Sequence, residues 1–190
     1  WYLGDHRGSV ELGPGEMAPE QPYQKNLSNA EPFSSAEYAD DVRFTPLADF
    51  SVKAKVLSAK DYRMGSESIV SPLDLALGWG PMSDESLVSQ LNVRQNSRWF
   101  FMESKNQQAM DFETLLQHSS NMHMIPANSH LKRMMKDVRV GDIVEFSGYL
   151  VQVDRPSGWS WKSSMSRKDK GNGACEVVWV DYFVNLTEHI

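Results

Sequence analysis

Apolar and polar residues alternate with a period of two between residues 50 and 57. In this stretch Phe50, Val52, Ala54 and Val56 fall on one side of an extended chain, and serine and lysine residues separate them. Such alternation predicts a β-strand that buries one face.

A similar signal recurs near the C-terminus. Residues 141–154 form a long apolar-rich run around Gly148, which predicts a strand that bulges or bends sharply at the glycine. A Pro-Ser-Gly turn follows, then residues 159–163 as an antiparallel partner and residues 174–184 as the closing strand. This succession is typical of small, partly open OB-like or Greek-key barrels.

Short helical segments interrupt the strand pattern. Ser71-Pro72 is a helix-start signature, and Asn128 is a suitable N-cap for a later helix. The predicted helices are residues 71–77, 83–91, 111–117 and 129–136, and the apolar run 98–102 predicts a buried strand. The expected fold class is α+β and β-rich, a barrel with three or four short peripheral helices.

The chain divides into an arm and a domain. Residues 1–40 are punctuated by glycine and proline with no sustained period, which predicts an irregular N-terminal arm. Residues 41–190 are predicted to form a single globular α+β domain. Hydrophobic residues make up 41% of the chain and aromatic residues 11%, enough for a sizeable core.

The net charge of the chain makes some classes of function less favourable than others. A formal net charge of −6 disfavours nucleic acid as a partner, because polyanion binding needs clustered lysine and arginine. The single cysteine, Cys175, excludes an intrachain disulfide framework. The chain begins at Trp1 rather than methionine, so we expect an upstream segment, with a membrane anchor as one possibility.

The first candidate for chemistry is the segment from His118 to His123, with Asn121 between them. Two imidazoles and an amide can meet a metal or a substrate oxygen, but the spacing matches no zinc-site pattern, so no metal ion is predicted. In an extended segment the two histidines point to opposite faces. The alternative is that His123 is a buried, hydrogen-bonded residue that holds a turn before Pro126.

The second candidate is the pair Cys175 and Glu176. A lone cysteine becomes a nucleophile when a nearby histidine lowers its pKa, and only His118 and His123 lie in the expected core region. Strand alternation turns one member of the pair inward, and a buried cysteine usually acts as a small hydrophobe. Both interpretations remain open from the residues alone.

The third candidate is the polar loop 163–173. Its hydroxyls, cations and glycines suit an anion-binding loop, although the P-loop spacing is absent. Ser164, Arg167 and Asp169 are its candidate ligand-binding residues, beside His118, Asn121 and His123. The alternative is a solvated connection between strands. Trp159 and Trp161 next to this loop also allow an aromatic face for single-stranded nucleic acid.

Three stretches, residues 75–84, 118–127 and 163–176, together resemble a family of uncharacterised bacterial proteins that often carry an N-terminal membrane segment. The resemblance spans roughly residues 40–184 and brings no established activity. It implies a bacterial domain that is exported or membrane-anchored.

The leading functional hypothesis is a non-enzymatic ligand-binding or accessory domain, with a small molecule or a protein as ligand and no cofactor. The first alternative is a hydrolase or metal-dependent enzyme that uses His118, His123, Cys175 and Glu176. The second alternative is single-stranded nucleic-acid binding by an OB-like face.

Overall fold

The computed structural model describes residue 15 and residues 17–106, 110–166 and 175–187. These residues form nine β-strands and three short α-helices. The strands are β1 (Tyr23–Asn26), β2 (Arg43–Asp61), β3 (Leu73–Gly78), β4 (Leu91–Asn96), β5 (Trp99–Ser104), β6 (Ser119–Pro126), β7 (Ile143–Asp154), β8 (Ser160–Lys162) and β9 (Glu176–Asn185). The helices are α1 (Glu85–Val88), α2 (Phe112–Gln117) and α3 (Ser129–Lys136).

Five strands form a closed ring in the order β2-β3-β6-β9-β7, since β2 pairs with both β3 and β7. All neighbours around the ring are antiparallel except β6 and β9, which are parallel. Strand β1 pairs with β2, and β8 extends β7 as a hairpin. The predicted β-rich α+β class and its short peripheral helices are confirmed for the described residues.

The predicted bend in β7 is present at Gly148. The register between β7 and β9 shifts between Ser147 and Gly148. A Cβ atom added to Gly148 would lie 1.9 Å from the carbonyl oxygen of Trp179. Only glycine lets the two backbones approach this closely, so the sequence signal and the packing agree.

The barrel interior holds the main core. Phe50, Val52, Ala54 and Val56 are all buried there, as the alternation in β2 predicts. A second cluster forms around Phe44 and Trp179. It joins the beginning of β2, the end of β7 and the outward-facing side of β9, so both faces of this part of the sheet are covered.

The N-terminal residues contribute to this second cluster. Phe33 forms an isolated bridge with Phe44, and its ring lies 4.9 Å from that of Trp179. Tyr38 donates a hydrogen bond of 2.7 Å to the carbonyl of Pro126. The described part of the arm therefore contacts the barrel through a strand, a bridge and two aromatic rings.

A third cluster covers the outer face of β3 and β6. The β4–β5 hairpin and helix α2 pack there, with Ala76, Leu91 and Leu115 buried between them. The outward-facing residues of β3 and β6 consequently lie beneath a second layer. This layer positions the site described below.

The predicted helix at residues 71–77 is wrong, because this segment is strand β3. Leu73, Leu75 and Leu77 point into the barrel core, while Asp74 and Ala76 face the covering layer. Burial on both faces outweighs the Ser-Pro helix signature.

Two further predictions need correction. The helix predicted at 83–91 shortens to α1, because Leu91 already begins β4. The run 98–102 does form a strand, but Phe101 is exposed rather than buried, since β5 belongs to an outer hairpin.

The helices predicted at 111–117 and 129–136 are confirmed. Asp111 accepts a hydrogen bond from the Thr114 amide at the start of α2, and Asn128 accepts one from Leu131 at the start of α3. Within the described residues, no helix is both long and apolar enough to cross a bilayer.

Candidate functional site

A cleft of about 540 Å³ opens beside the tip of the β4–β5 hairpin. We call it the aromatic cleft. Its lining residues come from the segment after β2, the hairpin tip, β6, β8 and the start of β9. They are Tyr62, Met64, Glu67, Ser97, Arg98, Trp99, His123, Trp161, Lys162 and Cys175.

Arg98 stands at the centre of this site. Asn96 pairs with Trp99, so Ser97 and Arg98 form a two-residue hairpin loop. Both have positive φ, 49° and 67°, the backbone of a type I′ turn. Neither is glycine, and such a conformation persists only where surrounding contacts hold it.

Backbone hydrogen bonds supply those contacts. The Arg98 amide donates to the Tyr62 hydroxyl at 2.9 Å. The Arg98 carbonyl accepts from Asn121 Nδ2 at 3.0 Å. Asn121 Oδ1 in turn accepts from Gln95 Nε2 at 2.6 Å, which ties β4 to β6. The hairpin tip is therefore anchored to the barrel from both sides.

The Arg98 side chain reaches a buried carboxylate. Its Nη1 atom donates to Asp74 Oδ1 at 2.7 Å, and its Nη2 atom donates to the carbonyl of Ser71 at 2.9 Å. Asp74 is fully buried on the outer side of β3. A buried carboxylate is tolerated only when it is paired and hydrogen-bonded, so Arg98 and Asp74 stabilise each other's position.

His123 is the second polar neighbour of Asp74. Its Nδ1 atom lies 2.9 Å from Asp74 Oδ1. No acceptor among the described residues is aligned with this ring nitrogen, so the contact is close but not a linear hydrogen bond. The ring also lies 4.7 Å from that of Trp161. His123 thus joins the buried polar group to the aromatic wall.

Aromatic rings flank the arginine. The Arg98 guanidinium carbon lies 4.1 Å from the centre of the Tyr62 ring and 5.4 Å from that of Trp161. Both distances are within the range of cation–π attraction. Burial, followed by the charge of Asp74, raises the pKa of Tyr62, so its hydroxyl stays protonated at neutral pH.

Cys175 lines the same cleft but is not activated. Burial, followed by the charges of Glu176 and Asp74, raises the pKa of its thiol to about 11. The sulfur lies 3.9 Å from the carbonyl of Arg98. A thiol with a raised pKa carries little thiolate at neutral pH and is a poor nucleophile.

The structure places the site residues expected from the sequence in more than one location. His123 and Cys175 line the aromatic cleft, and Asn121 lies directly beneath it. The parallel pairing of β6 with β9 brings these residues together, with His123 opposite Val177. This part of the expected neighbourhood forms as the sequence predicts. His123 is buried, as the alternative interpretation expects, but it does not hold a turn, because β6 continues as a strand to Pro126.

His118 and Glu176 lie elsewhere. His118 follows α2, where its Nδ1 atom contacts the Thr114 carbonyl at 2.8 Å. A rise of five positions along nearly extended chain, roughly 16 Å, separates it from His123. Glu176 is buried and accepts a short hydrogen bond from the Ser120 hydroxyl. The four proposed catalytic residues therefore do not form one group.

The loop candidates are partly described. Ser164 is buried, and its amide donates to the carbonyl of Cys175 at 3.0 Å, so it joins the loop to β9. Arg167 and Asp169 lie outside the described residues.

Sequence reasoning missed the two central residues, Asp74 and Arg98. Asp74 is the one charge in the Leu-Asp-Leu-Ala-Leu run, whose period of two was the available signal for a strand. Nothing local marks Arg98, since Asn-Ser-Arg-Trp lacks the usual Asn-Gly turn pair. Tyr62 was likewise missed, because its role depends on the position of the hairpin tip in the folded chain.

Among the described residues, no group of three or more histidine, cysteine, aspartate or glutamate side chains is arranged to hold a metal ion. Neither a scan against models of protein families nor a search of curated proteins found a match to this chain.

Proposed function

We propose that this chain is a non-enzymatic ligand-binding module, built on an OB-like barrel, that binds its ligand in the aromatic cleft. The observation that carries the proposal is the anchored arginine. Arg98 is held by Asp74 from below and flanked by Tyr62 and Trp161 at 4.1 Å and 5.4 Å. A cleft with few, rigidly held polar groups among aromatic side chains is the usual form of a binding site.

The strand order supports the OB-like description. Around the ring, β2, β3, β6, β7 and β9 are the first to fifth strands in sequence, and their spatial order is first, second, third, fifth, fourth. OB-folds bind ligands on the face of strands two and three and on the loops that follow strands one and four. The cleft draws its lining from the equivalent places, with His123 on the third strand and Tyr62 after the first.

The cysteine chemistry supports a non-enzymatic role over the hydrolase alternative. A cysteine nucleophile needs a lowered pKa and a base within hydrogen-bond reach. Cys175 has a raised pKa, and its hydrogen bond at 3.9 Å is to a backbone carbonyl. His118 lies beyond α2, where it contacts the Thr114 carbonyl. His123 shares the cleft with Cys175, but its ring contacts Asp74 and Trp161.

Cys175 also provides the test, because it is the only cysteine and lines the cleft. We would measure its alkylation by N-ethylmaleimide in the intact chain, with and without each member of a ligand panel. The panel holds neutral oligosaccharides, a short single-stranded oligonucleotide and an unstructured peptide mixture. Tryptophan fluorescence is the second readout, because Trp99 and Trp161, two of the six tryptophans of the chain, line the cleft.

A ligand-binding module is expected to show slower alkylation with at least one panel member, and mass spectrometry should recover that ligand unchanged. Conversion of the ligand into products would favour the enzyme alternative. Unchanged alkylation and fluorescence with every panel member would contradict the binding module itself.

A further inference from the structure

We infer that the ligand of the aromatic cleft is an uncharged carbohydrate, a neutral oligosaccharide rather than a nucleic acid. The inference rests on the proposed binding function and specifies its ligand class. It follows from the charge balance at the cleft, from the exposed aromatic rings and from the polar groups at the rim.

The main cation of the cleft is already neutralised. Arg98 contacts Asp74 at 2.7 Å, and its side chain is only 15% exposed. Its guanidinium also donates to the Ser71 carbonyl. A ligand anion would therefore compete with a fully buried carboxylate for a guanidinium that is already paired with it. That competition disfavours a phosphate at this position.

Apart from Arg98, the described lining of the cleft contains one lysine and one acidic residue. Lys162 is exposed on β8, and Glu67 is half-buried in the segment after β2. A channel for single-stranded nucleic acid combines stacking rings with a positively charged groove that follows the phosphates. The described lining offers rings without that groove, and the whole chain has a net charge of −6.

The rings themselves suit a sugar. Trp99, Trp161 and Tyr62 are all partly exposed at the cleft. An aromatic face gives a large, rigid apolar contact at low entropic cost. The axial C–H face of a pyranose ring is apolar and flat enough to lie on it, while the hydroxyls of the sugar project from its edge.

The rim can bind those hydroxyls. A sugar hydroxyl is both a donor and an acceptor, so it pairs with groups of either kind. Glu67 supplies an acceptor, Lys162 a donor, and the exposed Ser97 hydroxyl supplies both. A rim with both donors and acceptors does not favour anions, but it can hydrogen-bond the hydroxyls of a neutral polyol.

The test is a titration of the intact chain with a panel of neutral hexose and N-acetylhexosamine oligosaccharides and with a short single-stranded oligonucleotide. Isothermal calorimetry gives the Kd, and protection of Cys175 from alkylation locates the ligand. We expect at least one neutral oligosaccharide to bind with a Kd that changes less than about twofold between low and high salt, because no counterions are released.

Two tryptophans provide a matched pair of variants. Both Trp161 and its neighbour Trp159, with ring centres 6.1 Å apart, pack against the second core cluster, but of the two only Trp161 is among the described residues that line the cleft. Trp161→Ala is expected to weaken binding at least about tenfold, since the loss of one stacking partner commonly removes that much. Trp159→Ala is expected to keep the wild-type affinity. Glu67→Gln, a rim change remote from the core, should weaken binding by about threefold or more.

The possible outcomes test the carbohydrate inference and the proposed binding function separately. Salt-sensitive binding of the oligonucleotide, with protection of Cys175 and none by any neutral oligosaccharide, overturns the carbohydrate inference and leaves the binding module intact. Equal affinity in wild type, Trp161→Ala and Glu67→Gln also overturns it. Failure of every panel member to bind removes both proposals.

Discussion

At the scale of single residues, the chemistry of this protein is organised by Asp74. One buried carboxylate contacts Arg98 at 2.7 Å and His123 at 2.9 Å. It also lies 3.5 Å from the amide nitrogen of Asn121. The β4–β5 loop and β6 thus converge on one charge of β3, which explains why the hairpin tip keeps its positive φ angles.

Replacing this carboxylate should be strongly destabilising. Asp74→Asn preserves the size of the side chain but leaves Arg98 partly buried without its counter-ion. We expect the free energy of unfolding to fall by about 3 kcal/mol. Urea denaturation followed by circular dichroism measures the change.

Asp61→Asn is the control. Asp61 contacts Lys136 at 3.5 Å with 48% of its side chain exposed, and exposed pairs contribute at most about 1 kcal/mol. Equal destabilisation by the two substitutions would show that Asp74 is not a central stabilising charge.

Cys175 gives a pH-dependent prediction. Its thiol pKa is raised to about 11, so the alkylation rate of the folded chain should keep rising with pH well above 9. In urea the pKa of the same cysteine should be about 8.5, as it is for a solvated thiol. Iodoacetamide labelling followed by mass spectrometry gives both profiles.

The sign of the linked stability change follows from these two values. The folded state disfavours the thiolate, so the contribution of Cys175 to stability is complete below about pH 8.5 and is lost as pH rises towards 11. A folded-state labelling profile with its midpoint at or below that of the unfolded chain would contradict this environment.

At the scale of elements, local backbone requirements decide where strands bend and pair. Gly148 lets β7 cross close to β9, and the Ser97-Arg98 loop turns the outer hairpin back over the barrel. Both features depend on residues that are close together in sequence. Only the bend at Gly148 could be predicted from the sequence, since a glycine within an apolar strand usually marks a bulge or a close approach of two backbones.

Adding a methyl group at Gly148 should disrupt the barrel. In Gly148→Ala the new carbon would meet the Trp179 carbonyl at 1.9 Å, and backbone on both sides prevents relief. We expect a loss of stability of about 3 kcal/mol or more, seen as a lowered Tm in a thermal melt.

Gly141→Ala is the matched comparison. Gly141 has a φ of 97° and no atom within 4 Å of an added Cβ, so only backbone strain of about 1–2 kcal/mol is expected. If Gly148→Ala melted at or above the Tm of Gly141→Ala, the close approach of β7 and β9 would be wrong.

The error at residues 71–77 also belongs to this scale. The Ser-Pro pair describes how a helix can start, but the alternation of Leu73, Leu75 and Leu77 matches a strand equally well. The structure resolves the ambiguity in favour of the strand because two partners, β2 and β6, are available on either side. Partner availability is not a local property.

At the scale of the whole molecule, the described N-terminal residues take part in the packing of the barrel. Phe33 lies 5.5 Å from Phe44 and 4.9 Å from Trp179, ring centre to ring centre. This contact joins the arm, the first barrel strand and the last one. An extracytoplasmic or membrane-anchored location stays a prediction from the family resemblance.

Shortening Phe33 should therefore weaken the entire fold. We expect Phe33→Ala to lower the free energy of unfolding by about 2 kcal/mol, less than the loss for a fully buried phenylalanine because Phe33 is only partly buried. Urea denaturation provides the value.

Tyr23→Ala in β1 is the comparison, because Tyr23 is 47% exposed and should cost less than about 1 kcal/mol. Indistinguishable urea midpoints for Phe33→Ala and wild type would mean that the arm adds nothing to the cooperative fold.

The sequence by itself determined the elements whose signals are local. The buried face of β2, the bend at Gly148, the β7–β8 hairpin, the closing strand and the capped helices α2 and α3 all follow from periodicity, glycine and cap chemistry. His123, Asn121 and Cys175 were also recognised as belonging near one another, because β6 and the C-terminal strands were expected to meet.

Only the tertiary structure decided what surrounds them. Asp74 and Arg98 are 24 residues apart, and Tyr62 and Trp161 are 99 apart, so no local pattern relates them. Ring closure between β2 and β7 and the folding of the β4–β5 hairpin over β3 bring them to one cleft. The physical reason is that a buried charge gains its partner through long-range pairing, whereas periodicity records only which face is apolar.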